Sequence, residues 1–171
     1  MQPSKGERGT GTSRSCRLLT SGTLEREMNT LHGMLAESGA RYPQARLEFG
    51  RQESTTISEL HDASEAFAQG LPARSSESGE IIGMLLPNCK DFVVALFGIS
   101  RAGLAAAPLA LPRGLAEAAL LGDRIARIAE SAGMRTLITD SRMAQRLAAQ
   151  DCKVQVLTPA DVARASRSGT P

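Results

Sequence analysis

The 171-residue sequence predicts an α/β protein with a mainly parallel sheet and flanking helices, preceded by a helix and a short β-hairpin. Two observations predict this class. In the second half of the chain, strand-like apolar runs alternate with segments of helical periodicity, and the connections between them are short. The first of these runs, residues 81–86, is almost continuously apolar, which is typical of a strand covered on both faces. Because crossovers between parallel strands are right-handed, we expect βαβ units.

The elements before the sheet follow from local patterns. Apolar residues recur at helical spacing over residues 24–35, which predicts a first helix. Residues 46–49 alternate like a strand and β-branched residues follow at 55–57, which predicts a hairpin. Thr56 and Glu59 stand three positions apart before an apolar helical face, which is the spacing of a capping box. A second helix is therefore expected to begin at this point.

The second half of the chain is more regular. Strands are predicted at 81–86, 104–109, 136–139 and 154–157, and helices after Pro87, at 116–132 and from 140 or 141 to 149. Asn88 is expected to cap the helix that follows Pro87. The predicted pattern is therefore strand and helix in strict alternation.

The predicted organisation has three parts. Residues 1–22 are rich in Gly, Ser, Thr and Arg without apolar periodicity, so we expect a flexible tail. Residues 23–158 carry the α/β pattern. Residues 159–171 are expected to be a polar C-terminal end, in which 165–171 form a loop rather than a helix.

Composition and charge exclude several classes of protein. The sequence is 42% hydrophobic and 22% charged, as in globular proteins, and its net charge of +2 provides no broad basic field for nucleic acid. The most apolar window, residues 92–111, contains Arg101, Gly103 and Pro108, which argues against a membrane span. No secretory signal is recognisable. Three widely spaced cysteines favour a reducing compartment, and we expect a cytoplasmic protein.

Glycine motifs give no support for a dinucleotide site. Gly9-Thr10-Gly11 follows no predicted strand and lacks a third glycine. Residues 87–90, which follow the first predicted sheet strand, contain no glycine that would let a pyrophosphate approach the backbone. Binding of a nicotinamide or flavin cofactor is therefore not expected.

The remaining reactive side chains are isolated. Cys89 stands where a helix begins, a position that can lower a thiol pKa, but no histidine is near it in sequence and a small buried thiol is the favoured interpretation. His32 and His61 lie on separate predicted helices without metal-ligand spacing. The acids Glu77, Glu80 and Asp123 have the pattern of ordinary surface charges. We therefore assign no catalytic, cofactor-binding or metal-binding residue from the sequence.

One stretch carries a family resemblance. The run 81–88, Ile-Ile-Gly-Met-Leu-Leu-Pro-Asn, is followed by the apolar helix 91–99 and by Arg101-Ala102-Gly103. This order resembles the N-terminal part of the acyl-adenylate-forming enzymes, the AMP-dependent synthetase/ligase superfamily. Upstream, the segment 30–43 resembles the first helix of the family, and Ile57-Ser58-Glu59-Leu60 resembles a family element whose aromatic residue is missing here.

The resemblance covers roughly residues 29–157 and implies a branch of the family. After Pro108-Leu109 the peptide-activating branch usually has an Asp-Pro pair, whereas residues 110–114 here read Ala-Leu-Pro-Arg-Gly, which is more similar to fatty-acyl-AMP ligases. The resemblance therefore implies activation of a fatty or related aliphatic acid. In the complete family enzyme, the carboxylate of the acid attacks the α-phosphate of ATP with the help of Mg²⁺, which gives acyl-AMP and pyrophosphate, and a thiol or amine then takes the acyl group and releases AMP.

The groups that perform this chemistry in the family are not matched. The family's phosphate loop ends in Gly-x-Pro-Lys-Gly, and no such segment occurs in the sequence. Residues 18–23 resemble the front of that loop but continue without glycine, proline or lysine and precede the 81–86 strand. No functional residue can be carried over, and no cofactor is expected for this chain alone.

The sequence therefore predicts an N-terminal fragment of an acyl-activating ligase, inactive by itself, whose partner is the remainder of the enzyme. Neither nucleic acid nor a membrane is an expected partner. One alternative is a non-catalytic α/β interaction module or one piece of a split ligase, and a weaker one is an unrelated nucleotide-binding fold. We expect the DNA beyond codon 171, or a neighbouring gene, to encode the missing phosphate loop.

Overall fold

The computed structural model describes residues 30–50, 53–72, 79–150 and 152–168. Its elements are, in chain order, α1 (Leu31–Arg41), β1 (Arg46–Phe49), β2 (Glu53–Thr56), α2 (Ile57–Gly70), β3 (Ile81–Leu85), α3 (Lys90–Arg101), β4 (Ala105–Pro108), α4 (Leu115–Ala119), α5 (Leu121–Ala132), β5 (Thr136–Thr139), α6 (Ser141–Ala148), β6 (Gln155–Leu157) and α7 (Pro159–Ser168). The predicted class, a mainly parallel sheet with flanking helices after a helix and a hairpin, is confirmed.

The main sheet has four parallel strands in the order β4-β3-β5-β6. In the register, Ile82 lies beside Ala106 on one side and beside Thr136 on the other. The chain runs from β3 outward to β4 and then crosses back to β5 on the opposite side of β3. β3 is thus the strand at which the direction of the crossovers reverses.

Alternation of side chains along the strands gives the sheet two apolar faces. On one face, Ile82, Met84 and Ile138 belong to a core that includes buried residues of α1, α2, α3 and α7. On the other, Leu85 and Leu137 pack in a core with buried residues of α5 and α6. Since both faces are covered, the almost continuous apolar run in β3 has the physical cause that the sequence pattern predicts.

The hairpin and the start of α2 form as predicted. β1 and β2 pair antiparallel, with Phe49 opposite Glu53. The Thr56 hydroxyl accepts a hydrogen bond from the Glu59 backbone N–H at 3.1 Å, and the Glu59 carboxylate accepts one from the Thr56 N–H at 2.9 Å. The bond that the carboxylate accepts from the Thr56 N–H lowers the pKa of Glu59, and the Thr56 and Thr55 hydroxyls add to this, because such bonds stabilise the charged form. The capping box predicted from the spacing is therefore confirmed.

The predicted C-terminal loop is wrong over residues 165–168. α7 extends to Ser168, and its Val162 is only 1% exposed. The helix has a reciprocal cap, in which the Thr158 hydroxyl accepts from the Asp161 N–H at 3.2 Å and the Asp161 carboxylate accepts from the Thr158 N–H at 3.0 Å. The Thr158 hydroxyl also donates to the Asp161 carboxylate at 2.7 Å, and this bond, followed by that from the Thr158 N–H, lowers the pKa of Asp161. The spacing of Thr158 and Asp161, with Pro159 at the first helical position, is a helix-start signal that the sequence analysis did not use.

Two further helix predictions need correction. The helix expected over 116–132 is two helices, α4 and α5, separated at Leu120. Asn88 does not cap α3; Cys89 occupies the N-cap position, and its side chain makes no capping hydrogen bond. The part of the predicted first helix before residue 30 lies outside the described residues.

Candidate functional site

The carboxyl ends of the parallel strands meet at one edge of the sheet. β3 ends into Pro87, β4 into the loop 109–114, and β5 into Asp140. In open parallel sheets, ligands bind outside the carboxyl ends of the strands, at the point where the strand order reverses. β3 is that point here, so this edge is the first place to look for a site.

A cavity of about 420 Å³ lies at this edge. Its apolar lining residues are Pro87, Leu111, Pro112, Leu115, Ala118 and Met143. Its charged lining residues are Arg113, Asp140, Arg142 and Arg146. A cavity of this size with an apolar lining and a few charged groups has the character of a small-molecule site.

Hydrogen bonds hold the segments around the cavity in place. The Thr139 hydroxyl donates to the Leu85 carbonyl at 2.7 Å, which ties the end of β5 to the end of β3. The Asp140 carboxylate accepts from the Met143 N–H at 2.9 Å and thereby caps α6. On the other side, the Arg124 guanidinium donates to the Ala110 carbonyl at 2.8 Å. The cavity wall is therefore built on strand ends and a capped helix.

The junction of α4 and α5 is fixed by one amide side chain. The Gln150 side-chain oxygen accepts from the Gly122 N–H at 2.6 Å, and its NH₂ group donates to the Ala118 carbonyl at 3.1 Å. A Cβ at Gly122 would lie 2.7 Å from the Cβ of Gln150, so the glycine permits this approach. The Gln150 side chain thus takes the place of backbone hydrogen bonds that a continuous helix over 116–132 would make at this junction.

The reactive residues considered from the sequence do not meet at this cavity. None of Cys89, His32 and His61 is among its lining residues. Cys89 is half-buried at the start of α3. His32 lies 3.4 Å from the Ser100 hydroxyl, and His61 lies 3.4 Å from the Asp62 carboxylate. Gly9-Thr10-Gly11 and the segment 18–23 lie outside the described residues.

The side chains in the described ranges do not fit bound Mg²⁺ or a nucleoside triphosphate. Within the described ranges, no three or more His, Cys, Asp and Glu side chains are grouped to hold a metal ion. The one carboxylate that lines the cavity, Asp140, is engaged in capping α6. The loop between β3 and α3, Leu86-Pro87-Asn88-Cys89, carries no glycine. No step of ATP chemistry can therefore be assigned to the described side chains.

A second cleft, of about 310 Å³, lies where α2, α3 and α7 meet. Lys90, Asp91 and Arg167 are its charged lining residues. Burial raises the pKa of Asp91, and the charge of Glu53 adds to this while Lys90 opposes it. The cleft therefore contains both positive and negative side chains, which partly balance each other's charge.

Buried oxygens without partners lie at the opposite edge of the sheet. The Thr136 hydroxyl, Glu80 Oε1 and Gln155 Oε1 have no hydrogen-bond partner and are closed to solvent. Thr136 and Gln155 face each other across β5 and β6. Thr136 is also paired with Ile82 of β3, so the side chains of Thr136 and Gln155 lie on the same face of the sheet as Ile82. Each unpaired oxygen costs stability, because its hydration is lost without replacement.

No helix in the described part of the chain has both the length and the apolar composition that a membrane crossing requires.

Three comparisons with known proteins bear on this fold. The model of the AMP-binding enzyme family matches residues 35–169. The phosphinothricin tripeptide synthetase PhsC of Streptomyces viridochromogenes is 28% identical over 146 residues, which are 85% of this chain and 13% of that protein. The match is thus confined to a small part of a much larger polypeptide.

Solved structures agree on the fold. A fatty acyl-adenylate ligase, from a study of these enzymes from E. coli and L. pneumophila, superposes with a TM-score of 0.70 at 20% identity, over 83% of this chain and 27% of that one. The N-terminal subdomain of NpsA from Klebsiella oxytoca superposes with a TM-score of 0.64 at 17% identity, over 79% of this chain and 32% of that one. Because the family model spans most of the sequence, the chain belongs to the AMP-binding enzyme family, and its fold is that of the N-terminal subdomain of adenylate-forming enzymes.

Proposed function

We propose that this chain is the N-terminal α/β portion of an ATP-dependent acyl-activating ligase, which forms an acyl-AMP and passes the acyl group to a thiol or amine. The observation that carries the proposal is the family match over residues 35–169 on a fold shared with adenylate-forming enzymes. The chain spans 13% of the peptide synthetase and 27% of the fatty acyl-adenylate ligase. Activity, substrate and acceptor therefore belong to the proposal.

The proposed substrate is a fatty or related aliphatic acid. Support comes from residues 110–114, which resemble fatty-acyl-AMP ligases rather than the peptide-activating branch. The structural similarity to a fatty acyl-adenylate ligase points the same way. The sequence similarity to a peptide synthetase points to an amino acid instead. We give more weight to the segment 110–114, because it belongs to this chain and lies at the carboxyl edge of the sheet.

The chain is proposed to be catalytically silent by itself. Its sequence contains no Gly-x-Pro-Lys-Gly phosphate loop, and the described carboxylates do not cluster for Mg²⁺. In phosphoryl chemistry, the backbone N–H groups and lysine of such a loop, together with Mg²⁺, supply most of the charge stabilisation of the transition state. A chain without this loop therefore lacks the main source of catalysis. ATP, Mg²⁺ and the remainder of the enzyme are its partners in the complete ligase, in the cytoplasm.

The source DNA and a joined polypeptide test this proposal. The DNA beyond codon 171, read in all three forward frames, and the neighbouring genes are expected to encode a segment like Thr-Ser-Gly-Ser-Thr-Gly-x-Pro-Lys-Gly. The two pieces would be expressed together, and pyrophosphate release would be measured with aliphatic acids of increasing length and with amino acids. Fatty-acid-dependent release supports the proposal; release with amino acids only would contradict the substrate.

A second candidate is a free-standing interaction module or one piece of a split ligase. The observation that favours it is the closed packing of both faces of the sheet by elements of the described chain. If several hundred downstream codons contain no phosphate loop, and the chain is monomeric with a sharp unfolding transition, the module is the better account. Co-purification of a separately encoded remainder would instead identify a split ligase.

A further inference from the structure

Three arginines surround the cavity at the carboxyl edge of the sheet. Arg113 lies in the loop after β4, while Arg142 and Arg146 stand one helical turn apart on α6. The ion pairs found in the described part of the chain are His61–Asp62, Arg101–Glu65 and Arg164–Asp161. The three cavity arginines therefore have no acidic partner among the described residues.

This arrangement carries an electrostatic cost. Like charges four residues apart on a helix repel each other, so Arg142 and Arg146 destabilise α6 slightly. Two carboxylates of this region each accept a backbone hydrogen bond instead of pairing with an arginine side chain: Asp140 accepts from the Met143 N–H, and Glu117 accepts from the Arg113 N–H at 2.9 Å. All three side chains are exposed, so their guanidinium groups can reach a carboxylate or phosphate and form charge-assisted hydrogen bonds with it, and a bound anion would offset the repulsion.

The rest of the cavity wall is apolar. Leu111, Pro112 and Met143 line it, and Leu115 is 82% exposed beside it. A leucine at this exposure gains nothing from packing within the chain, whereas an aliphatic or aromatic body in the cavity would cover it. The site therefore fits a ligand that joins an apolar body to an anionic head.

We propose that this cavity binds an amphipathic organic anion, with its carboxylate or phosphate head among Arg113, Arg142 and Arg146 and its apolar body against Leu111, Leu115 and Met143. Binding uses only residues of the described chain. It does not depend on the proposed ligase activity, and the chain can be catalytically silent whether or not the cavity is a binding site.

Four probes separate the contributions of head and body. Octyl phosphate and octanoate share an aliphatic body, octanol lacks the charge, and inorganic phosphate lacks the body. Each would be titrated into the full 171-residue chain by calorimetry, with amide chemical shifts used to locate the site. We expect octyl phosphate and octanoate to bind and to shift resonances of α6 and of residues 109–115. Their relative affinities report which head the arginines prefer.

Matched variants make the test specific. The double substitution Arg142→Gln/Arg146→Gln is expected to weaken binding of both anions at least about tenfold, since it removes charge-assisted hydrogen bonds. Arg127→Gln, which changes an exposed arginine of α5 outside the cavity, is expected to leave binding unchanged. Leu115→Ser is expected to weaken the octyl ligands only, and its thermal unfolding should match that of the parent chain.

The opposite results would overturn the proposal. Octanol that binds as tightly as octanoate would show that the arginines take no part. Equal loss of binding in Arg127→Gln and in the α6 double variant would show a general charge effect. No binding of octyl phosphate or octanoate at millimolar concentration would remove the site altogether.

Discussion

The helical layer of α2, α3 and α7 and the carboxyl edge of the sheet differ in how fully their side chains are satisfied. In the layer, Leu60 and Ile99 are at most 1% exposed, and glycines permit close contact between helices. At the edge, Leu115 and Leu120 are 82% and 63% exposed, and the three cavity arginines form no ion pair with an acid in the part of the chain that the structure describes. In the layer, the apolar side chains are buried against other residues of this chain. At the edge, apolar and positively charged side chains remain exposed and can contact a ligand or a partner.

The difference shows where sequence change should cost stability and where it should alter binding. Residues of the layer act through packing, which unfolding measurements report. Residues of the edge contribute little to packing, so their substitution should be visible mainly in ligand or partner binding. The predictions below compare matched substitutions in the two regions or at the two sheet edges.

The largest effect is expected from the same substitution in both regions. Leu60→Ala should lower the free energy of unfolding by about 2–5 kcal/mol, because it leaves a cavity in the core between the sheet and helices α2 and α3. Leu115→Ala should change it by less than about 0.5 kcal/mol, because that side chain is exposed. Urea titrations monitored by circular dichroism measure both. Equal losses in the two variants would contradict the contrast between layer and edge.

A close contact between α2 and α7 gives the next largest effect. A Cβ at Gly70 would overlap the backbone carbonyl of Val162, so Gly70→Ala should cost about 1–3 kcal/mol. Gly114 at the cavity has no atom within 4 Å of the position of a Cβ. Gly114→Ala is therefore the control, and it should cost only about 0.5 kcal/mol. If Gly70→Ala left the free energy of unfolding unchanged, α7 would not pack against α2 at Gly70.

The two buried threonines of β5 should respond in opposite directions. Thr136→Val removes a hydroxyl without a partner and is expected to stabilise the chain by about 1 kcal/mol. Thr139→Val removes a hydroxyl that donates to the Leu85 carbonyl and is expected to destabilise it by about 1 kcal/mol. Differential scanning calorimetry distinguishes the signs, and destabilisation by Thr136→Val would show that its hydroxyl has a partner.

The smallest effect concerns the capping box of α2. The pKa of Glu59 is lowered in the folded chain, so its contribution to stability is present above the unfolded-state pKa of about 4.5 and is lost as pH falls through the folded value. Glu59→Gln should flatten the fall in unfolding temperature below pH 4.5, whereas Glu130→Gln, at an exposed position of α5, should not. If the unfolding temperature of Glu59→Gln fell with pH in the same way as that of the parent chain, the Glu59 carboxylate would not contribute to stability through the capping box.

Features that depend on neighbouring residues could be predicted from the sequence. The Thr56–Glu59 box, the hairpin and the alternation of strands and helices follow from spacings of a few positions. The Thr158–Asp161 cap has the same kind of signal, so α7 was predictable from the residues. The expectation of a polar loop gave too much weight to the polar composition of residues 165–171.

Features that depend on contacts between residues far apart in the sequence could not be predicted. Gly70 meets Val162 from 92 positions away, and nothing in either local pattern reports that contact. The run 116–132 is periodic throughout, so its break at Leu120, which Gln150 stabilises, left no local trace. Arg113 and Arg146 line one cavity only because parallel strands bring the loop after β4 and the helix after β5 to the same edge.

Pyrophosphate release by the chain alone tests the central claim most directly. The purified 171-residue chain would be incubated with ATP, Mg²⁺ and fatty acids of several lengths, beside a complete fatty acyl-adenylate ligase as positive control. Because the sequence contains no Gly-x-Pro-Lys-Gly loop and the described carboxylates are not grouped to hold Mg²⁺, we predict no release above the protein-free blank. Release that depends on a fatty acid, and that is abolished by a substitution within this chain, would contradict the account.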